Sequence, residues 1–189
     1  MKKIIEIRTH VLKTDEYPLG GWVLVRVRTE DGIEGVGECF VPDRDGASAS
    51  ATGLLVDRLA SELIGEDVLN LTPMWHRCYD VCEKMYDRRG LAIHALSGLD
   101  LALHDAAART LAVPLSELLG GRFRDEVQVY VSSIWVDADD PTLALAMTSD
   151  YVSQGFKAIK YYGWDGFGRQ PDRDADLLQQ IRAAAGQNT

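Results

Sequence analysis

The sequence of 189 residues lacks three features that define large classes of protein. It has only three cysteines, so we do not expect a framework of disulfides. It has no apolar run of about 20 residues, the length that a membrane-spanning helix needs. It also lacks an excess of basic residues, because 20 Lys and Arg stand against 29 Asp and Glu, for a net charge of −9. We therefore expect neither nucleic acid nor a membrane as its partner.

The first residues and the cysteines exclude two further classes. The start of the chain alternates like a strand and has no signal-peptide core, which favours the cytoplasm. Cys78 and Cys82 share one face of a predicted helix, and His76 lies nearby. His76 would point elsewhere on that helix, and the sequence has no second pair of ligands at metal-binding spacing. We therefore expect no zinc site here.

The first part of the chain begins with strand patterns. Lys3–Val11 and Trp22–Arg28 alternate between apolar and polar residues with period two. Glu30-Asp31-Gly32 is typical of a hairpin turn, and Ile33–Phe40 has the pattern of the returning strand. The pattern predicts an antiparallel meander of three strands.

Helical spacing of apolar residues follows the predicted meander. It predicts a helix over Ala49–Ile64, one from Thr72 to Met85, one over Leu91–Leu111 and a short one between Pro114 and Gly120. Thr72 is the predicted N-cap of the second helix, because Pro73 would then occupy the first helical position. The third helix is apolar on most sides, so we expect it to be deeply buried.

The second part of the chain alternates strands with helices. The pattern predicts strands over Val127–Ile134 and Phe156–Tyr162, with helices over Pro141–Gln154 and Pro171–Ala185. Strands separated by helices of this length pair in parallel. The charged segment 122–126 is the predicted boundary, which gives domains at 1–124 and 125–189. Two strands cannot close a parallel barrel, so we interpret the chain as a truncated barrel protein or a piece of a longer one.

Three stretches of the sequence resemble the enolase superfamily, and most closely its mandelate racemase and muconate lactonizing enzyme group. They are Gly32–Glu38, Ala92–Gly121 and Gly155–Gly163. The resemblance covers essentially the whole chain. It implies an α+β N-terminal capping domain, made of an antiparallel meander plus helices. The first β/α units of an incomplete TIM-like (β/α) barrel would follow that domain.

The resemblance also implies a chemistry. Members of the group abstract a proton alpha to a carboxylate, with a magnesium ion stabilising the product anion and a lysine or histidine as base. Their second barrel strand typically ends Lys-x-Lys, with the second lysine as the acid/base. The matching residues here are Lys160 and Tyr162, so the second position departs from the pattern.

Three roles are open for Tyr162. Residues two apart on a strand point to one face, and at the end of a barrel strand that face is the active site. A neighbouring ammonium favours a phenolate over a phenol, so Tyr162 is a candidate base with Lys160 as its activator. Alternatively, Tyr162 donates a hydrogen bond to the substrate while another residue is the base. In the third interpretation, both residues only line the barrel.

The resemblance places the metal ligands outside this sequence. In the family they are acidic residues at the ends of the next three barrel strands. The acidic residues that follow Lys160 match none of those positions; they are Asp165, Asp172, Asp174 and Asp176. We expect magnesium in the complete enzyme and no metal ligand in these 189 residues.

Substrate contacts are expected in two loops and at one strand end. The loops Thr14–Gly21 and Pro42–Ser50 are similar to the specificity loops of the family, and we select Tyr17 from the first and Arg44 from the second. Arg44 would bind a carboxylate through its forked donors. Trp135 lies at the end of the first barrel strand and is the third candidate, although an aromatic residue there also fits plain packing.

The leading hypothesis is part of a magnesium-dependent acid-sugar dehydratase or racemase that is inactive without the rest of the barrel. We expect a small carboxylate substrate, with a sugar acid preferred, and a homo-oligomer. The alternative is a non-catalytic binding or interaction module made of the capping domain and a barrel remnant.

Overall fold

The computed structural model describes residues 2–12, 21–41, 46–163 and 166–189, without the side chain of Ser133. The described residues form two units, Met1–Arg122 and Phe123–Thr189. Each unit has its own hydrophobic core. The division into domains after residue 124 stays a prediction.

The first unit begins with a three-stranded antiparallel sheet. Its strands are β1 (Ile4–Leu12), β2 (Trp22–Thr29) and β3 (Glu34–Cys39), in the order β1-β2-β3. The turn between β2 and β3 places Gly32 at φ 84°, a conformation that glycine adopts without steric cost. On β2, every second residue is buried, which gives one face to the core and one to solvent. The predicted meander is confirmed.

Four helices are described in the first unit. They are α1 (Ala47–Ala60), α2 (Leu71–Met85), α3 (Leu91–Leu111) and α4 (Leu115–Leu118). The bounds of α3 are those predicted, and it buries ten residues. The predicted cap of α2 is wrong, because α2 begins at Leu71 and its N-cap position is Asn70, with no side-chain cap. Thr72 and Pro73 lie inside the first turn, where a proline loses no helical hydrogen bond.

Small residues allow β3 to lie directly against α3. A Cβ atom on Gly37 would overlap the carbonyl oxygen of Gly98, and one on Gly98 would overlap the sulfur of Cys39. Asp105 of α3 fixes the same contact, because its carboxylate accepts the backbone N–H of Val36 at 2.9 Å. Protein interiors pack as densely as crystals of small organic molecules. The contact between Gly37 and Cys39 of β3 and Gly98 of α3, which we name the seam, therefore leaves no room for larger side chains.

The three cysteines are free and buried in the first unit. Burial raises the pKa of the Cys39 thiol to about 12, and burial likewise raises the pKa of Cys78 to about 12. The thiol of Cys82 lies 3.7 Å from the carbonyl oxygen of Ala92 and also has a raised pKa because it is buried. Thiols that stay protonated act as small packing groups rather than as nucleophiles or metal ligands.

The second unit is a parallel β/α arrangement. Its elements are β4 (Val131–Trp135), α5 (Thr142–Ser153), β5 (Ile159–Tyr162) and α6 (Pro171–Ala185). β4 and β5 pair in parallel, as predicted. Both strands are shorter than predicted because the ladder begins where the N–H of Val131 donates to the oxygen of Ala158.

The core of the second unit lies between the sheet and its two helices. Ile134 and Val136 of the β4 segment pack with Leu177 and Ile181 of α6. The observed architecture is therefore an antiparallel α+β unit followed by a parallel β/α unit, as predicted. Within the described parts of the chain, no helix has both the length and the apolar character to cross a membrane.

Candidate functional site

β5 sorts its side chains onto two faces. Ile159 and Tyr161 are partly buried and pack against the core that the helices form, while Lys160 and Tyr162 are exposed. This sorting follows from the two-residue period of a strand. Lys160 and Tyr162 therefore share the face of the sheet opposite to the helices, as the sequence predicted.

The three candidate residues of the second unit lie together on this exposed face. The ammonium nitrogen of Lys160 is 5.1 Å from the centroid of the Tyr162 ring. The ring of Trp135 stacks on that of Tyr162, with centroids 4.9 Å apart and planes 15° from parallel. Trp135 and Tyr162 remain 45% and 37% exposed, so a ligand can reach both rings. We name these three residues the strand-end cluster.

A register shift in β4 produces the aromatic stack. Val131 pairs with Ile159, whereas Ile134 pairs with Tyr161, so β4 contains one extra residue between the two pairs. Without that shift, Trp135 would lie opposite Gly163. With it, Trp135 lies opposite Tyr162, and the two rings meet. Bulges that redirect a side chain in this way are common beside active sites.

A buried hydrogen-bond chain supports β5 from the side of the helices. The hydroxyl of Thr148 on α5 donates to the carbonyl oxygen of Ala144 at 2.7 Å. That leaves its oxygen to accept from the Tyr161 hydroxyl, also at 2.7 Å. Thr148 is fully buried, and the sequence analysis missed it. The available signal was the helical spacing of Ala144 and Thr148, which lie one turn apart on the buried face of α5.

The chemical capability of the strand-end cluster rests on one positive charge and one phenol. An ammonium over an aromatic ring contributes about 0.5–1 kcal/mol at an exposed site, so Lys160 and Tyr162 hold each other in place. The charge of Lys160 also stabilises a negative charge that develops on the phenol or on a bound carboxylate. The phenol can donate a hydrogen bond or exchange a proton.

The other two predicted substrate contacts, Tyr17 and Arg44, lie outside the described residues, as does Asp165. The structure thus brings together Lys160, Tyr162 and Trp135 and leaves the roles of all five candidates as predictions.

Several carboxylates of the second unit already hold backbone N–H groups or an arginine. Asp174 accepts the N–H of Gly168 at 2.7 Å, and Asp139 lies 2.5 Å from the guanidinium of Arg173. Asp137 accepts the N–H of Asp139. Within the described ranges, no three His, Cys, Asp or Glu side chains converge as metal ligands would. A magnesium ion needs several convergent oxygens, so the described residues do not fit it.

The sequence is similar to one family model and to several curated dehydratases. Residues 8–120 match the family model described as the mandelate racemase / muconate lactonizing enzyme N-terminal domain. The chain is 31% identical over 170 residues to the D-galactonate dehydratase of Xanthomonas euvesicatoria, covering 87% of this chain and 42% of that protein. It is 31% identical over 160 residues to the D-xylonate dehydratase of Haloferax volcanii, covering 84% of this chain and 36% of that protein.

Solved structures give the same picture of the fold. The 3,6-anhydro-D-galactonate cycloisomerase of Zobellia galactanivorans superposes with a TM-score of 0.83 at 27% identity, covering 99% of this chain and 49% of that one. A mandelate racemase/muconate lactonizing enzyme-like protein from Rubrobacter xylanophilus superposes with a TM-score of 0.81 at 25% identity, covering 99% and 52%. The chain therefore spans about half the length of the proteins it matches.

Proposed function

This chain belongs to the mandelate racemase and muconate lactonizing enzyme family, and from that membership we propose that it is part of an enzyme that removes the proton alpha to a carboxylate. The proposed reaction is the dehydration of a sugar acid, with racemization as the second candidate. The observation that carries the proposal is the strand-end cluster, which places Lys160 and Tyr162 on one exposed face. These are the positions where the family's Lys-x-Lys pattern falls.

The names of the relatives support a sugar acid as the substrate. Two of them are dehydratases of D-galactonate and D-xylonate, both polyhydroxy carboxylates. The stacked rings of Trp135 and Tyr162 offer an aromatic surface for the carbon–hydrogen face of such a chain. Lys160 supplies a positive charge for its carboxylate or for the negative charge formed after proton removal.

Tyr162 takes the acid/base role in this proposal, and Lys160 the electrostatic one. A phenol at the end of β5 receives or returns a proton at its hydroxyl oxygen. Membership in the family implies Mg²⁺ in complete enzymes, where it stabilises the anion of the substrate. The described residues do not fit that ion, so this chain contributes binding, orientation and proton transfer, and the metal ligands are expected elsewhere in the complete protein.

The first test is steady-state turnover of D-galactonate, D-xylonate and related sugar acids by the full-length protein. Tyr162→Phe removes the hydroxyl and keeps the ring. If Tyr162 is the acid/base, turnover should fall by about 10²–10⁴-fold while substrate binding is nearly kept. Tyr130→Phe is the control, because Tyr130 is an exposed tyrosine outside the cluster.

The outcomes separate the three roles of Tyr162. A loss of about tenfold supports a hydrogen-bond donor. Turnover of at least half the original removes Tyr162 from the mechanism. In D₂O the unsubstituted enzyme should incorporate solvent deuterium, at the beta carbon of the product after dehydration or at the alpha carbon after racemization. Its absence, together with no turnover on any sugar acid, would overturn the proposal and favour the binding-module alternative.

A further inference from the structure

A small pocket lies in the first unit, between the start of α2 and the middle of α3. It has a volume of about 190 Å³ and is lined by Leu71, Thr72, Trp75, Asp100 and His104. We name it the α2–α3 pocket. It is large enough for a group of several heavy atoms and smaller than the roughly 300–1,000 Å³ of a cofactor or drug-sized site. Neither the family resemblance nor the proposed function makes use of it.

Hydrogen bonding fixes which atoms the pocket offers to a ligand. The Nδ1 of His104 lies 2.9 Å from the backbone oxygen of Asp100, which can only accept. Nδ1 therefore carries the proton and donates it, and in the neutral ring Nε2 remains an acceptor. The same Nδ1 is 3.3 Å from one carboxylate oxygen of Asp100. Among the described residues no other partner is recorded for that carboxylate, so its second oxygen is another acceptor.

The charge balance of the pocket is negative. Asp100 is half-buried, and its carboxylate faces one imidazole and no lysine or arginine among the residues that line the pocket. Desolvation accordingly raises the pKa of Asp100, with a smaller opposing effect from His104. The first turn of α2 carries a partial positive charge of about half a unit, which is smaller than the full charge of Asp100. Pro73, the third residue of α2, reduces that partial charge further because it has no N–H.

Trp75 completes the site with an aromatic ring. One of its neighbours is Tyr79, whose ring stacks on it with centroids 4.9 Å apart and planes 9° from parallel. Such an extended aromatic surface beside a carboxylate attracts a cation by cation–π interaction. Two acceptors, one net negative charge and an indole ring together match a ligand that is positively charged and rich in hydrogen-bond donors.

We propose that the α2–α3 pocket binds the ammonium or guanidinium group of an organic cation, with Asp100 and His104 as acceptors and Trp75 as the aromatic contact. The cation is either a free small molecule or the side chain of a lysine or arginine from a second copy of the chain. A single metal ion is a poorer fit, because one imidazole and one carboxylate supply too few ligands.

The test is an NMR titration of the 189-residue chain with methylguanidinium chloride, followed on the indole N–H signal of Trp75. Methylurea is the neutral control of the same shape, and sodium chloride keeps the ionic strength constant. We expect saturable shifts with methylguanidinium at a Kd on the order of millimolar, and none with methylurea. Equal responses to both compounds, or no saturation, would overturn the proposal.

Two variants localise the binding. Asp100→Asn keeps the shape of the side chain and removes its charge, so it should weaken binding at least tenfold. Asp80→Asn removes one charge from an exposed position on α2 and should leave the Kd unchanged. Similar affinities in Asp100→Asn and the unsubstituted chain, with a well-dispersed spectrum in both, would exclude this pocket. A response to Zn²⁺ at micromolar concentration with none to methylguanidinium would replace the proposal with a metal site.

A dilution series of the chain alone distinguishes the two sources of the cation. If the cation is a side chain of a second copy, the Trp75 signal should move with protein concentration, and methylguanidinium should reverse the movement. If it is a free small molecule, the signal should not depend on protein concentration. The Trp75 signal could instead move with protein concentration equally in Asp100→Asn and in the unsubstituted chain, with no effect of methylguanidinium. That result would contradict the proposed site for both sources of the cation.

Discussion

The pKa values of individual side chains in this protein depend on how much contact with water they lose on folding and on which groups replace it. Asp100 and the three cysteines have raised pKa values because burial disfavours their charged forms. Glu6 shows the opposite case, because hydrogen bonding to Arg28 on the neighbouring strand lowers its pKa. The candidate acid/base Tyr162 lies at the exposed end of its strand, where a substrate can reach it.

The raised pKa of Asp100 predicts a pH-dependent stability. A carboxyl whose pKa is higher in the folded state favours folding at low pH, and that contribution is lost as pH rises through the folded pKa. Asp100→Asn should therefore raise the melting temperature at pH 8, where an ordinary carboxyl is ionised. The gain should vanish at about pH 3, below the ordinary pKa of aspartic acid. Calorimetry at both pH values checks this, and an equal gain at both would contradict it.

The strands and helices of this protein are positioned by contacts between residues that lie far apart in the sequence. Gly37 of β3 meets Gly98 of α3 across about 60 residues of chain, so the sequence of neither element alone predicts this contact. In the second unit, Thr148 and Tyr161 play the corresponding role for α5 and β5.

The seam between β3 and α3 predicts a severe effect from one methyl group. Gly98→Ala would place a Cβ atom against the sulfur of Cys39 and the backbone of β3. Overpacking of a tight core costs about 1–3 kcal/mol, so the melting temperature should fall clearly. Gly163→Ala is the control, since its Cβ would meet Phe167 at an ordinary 3.8 Å. Equal melting temperatures for both variants would show that the seam relaxes.

The hydrogen-bond chain behind β5 predicts a cost for removing one hydroxyl. Thr148→Val keeps the shape of the side chain but leaves the Tyr161 hydroxyl without its buried acceptor. An unsatisfied buried group costs about 1–3 kcal/mol, and urea denaturation should show a loss of that order. Ser149→Ala, which removes an exposed hydroxyl from the same helix, should cost much less. A stability unchanged by Thr148→Val would mean that Tyr161 finds water instead.

On the scale of the whole molecule, the described residues form one unit of an antiparallel sheet with helices and one unit with a two-stranded parallel sheet. The first corresponds to the family's N-terminal domain over residues 8–120. The second supplies the strand-end cluster but no described set of metal ligands. The net charge of the chain is −9, and ion pairs such as Arg58–Glu62 and Arg77–Glu66 neutralise some of its acidic residues.

The distribution of carboxylates predicts how the 189-residue chain responds to magnesium. Calorimetric titration with MgCl₂ should show no tight site, because hard oxygen sites need several convergent carboxylates. The full-length protein, under the same conditions, is expected to bind the ion. A single site of micromolar affinity in the 189-residue chain would contradict this, and Asp165→Asn would then be the first variant to measure.

The sequence by itself determined the elements and their order. Periods of two and 3.6 residues, with a turn at Asp31-Gly32, are local properties, so the meander, α3 and the parallel β/α order were all predictable. Residues two apart on a strand also had to share a face, which placed Lys160 beside Tyr162. The wrong cap of α2 shows the limit of local signals, because Thr-Pro fits the first turn of a helix equally well at more than one position.

The tertiary structure decided what those elements bring together. The stack of Trp135 on Tyr162 depends on one extra residue in β4, and strand register is fixed by pairing and packing rather than by either strand's own pattern. The α2–α3 pocket joins residues about 30 positions apart in sequence, and only helix packing puts Trp75 and His104 around one space. Local propensities act within a few residues, whereas a site depends on side chains that meet through the fold.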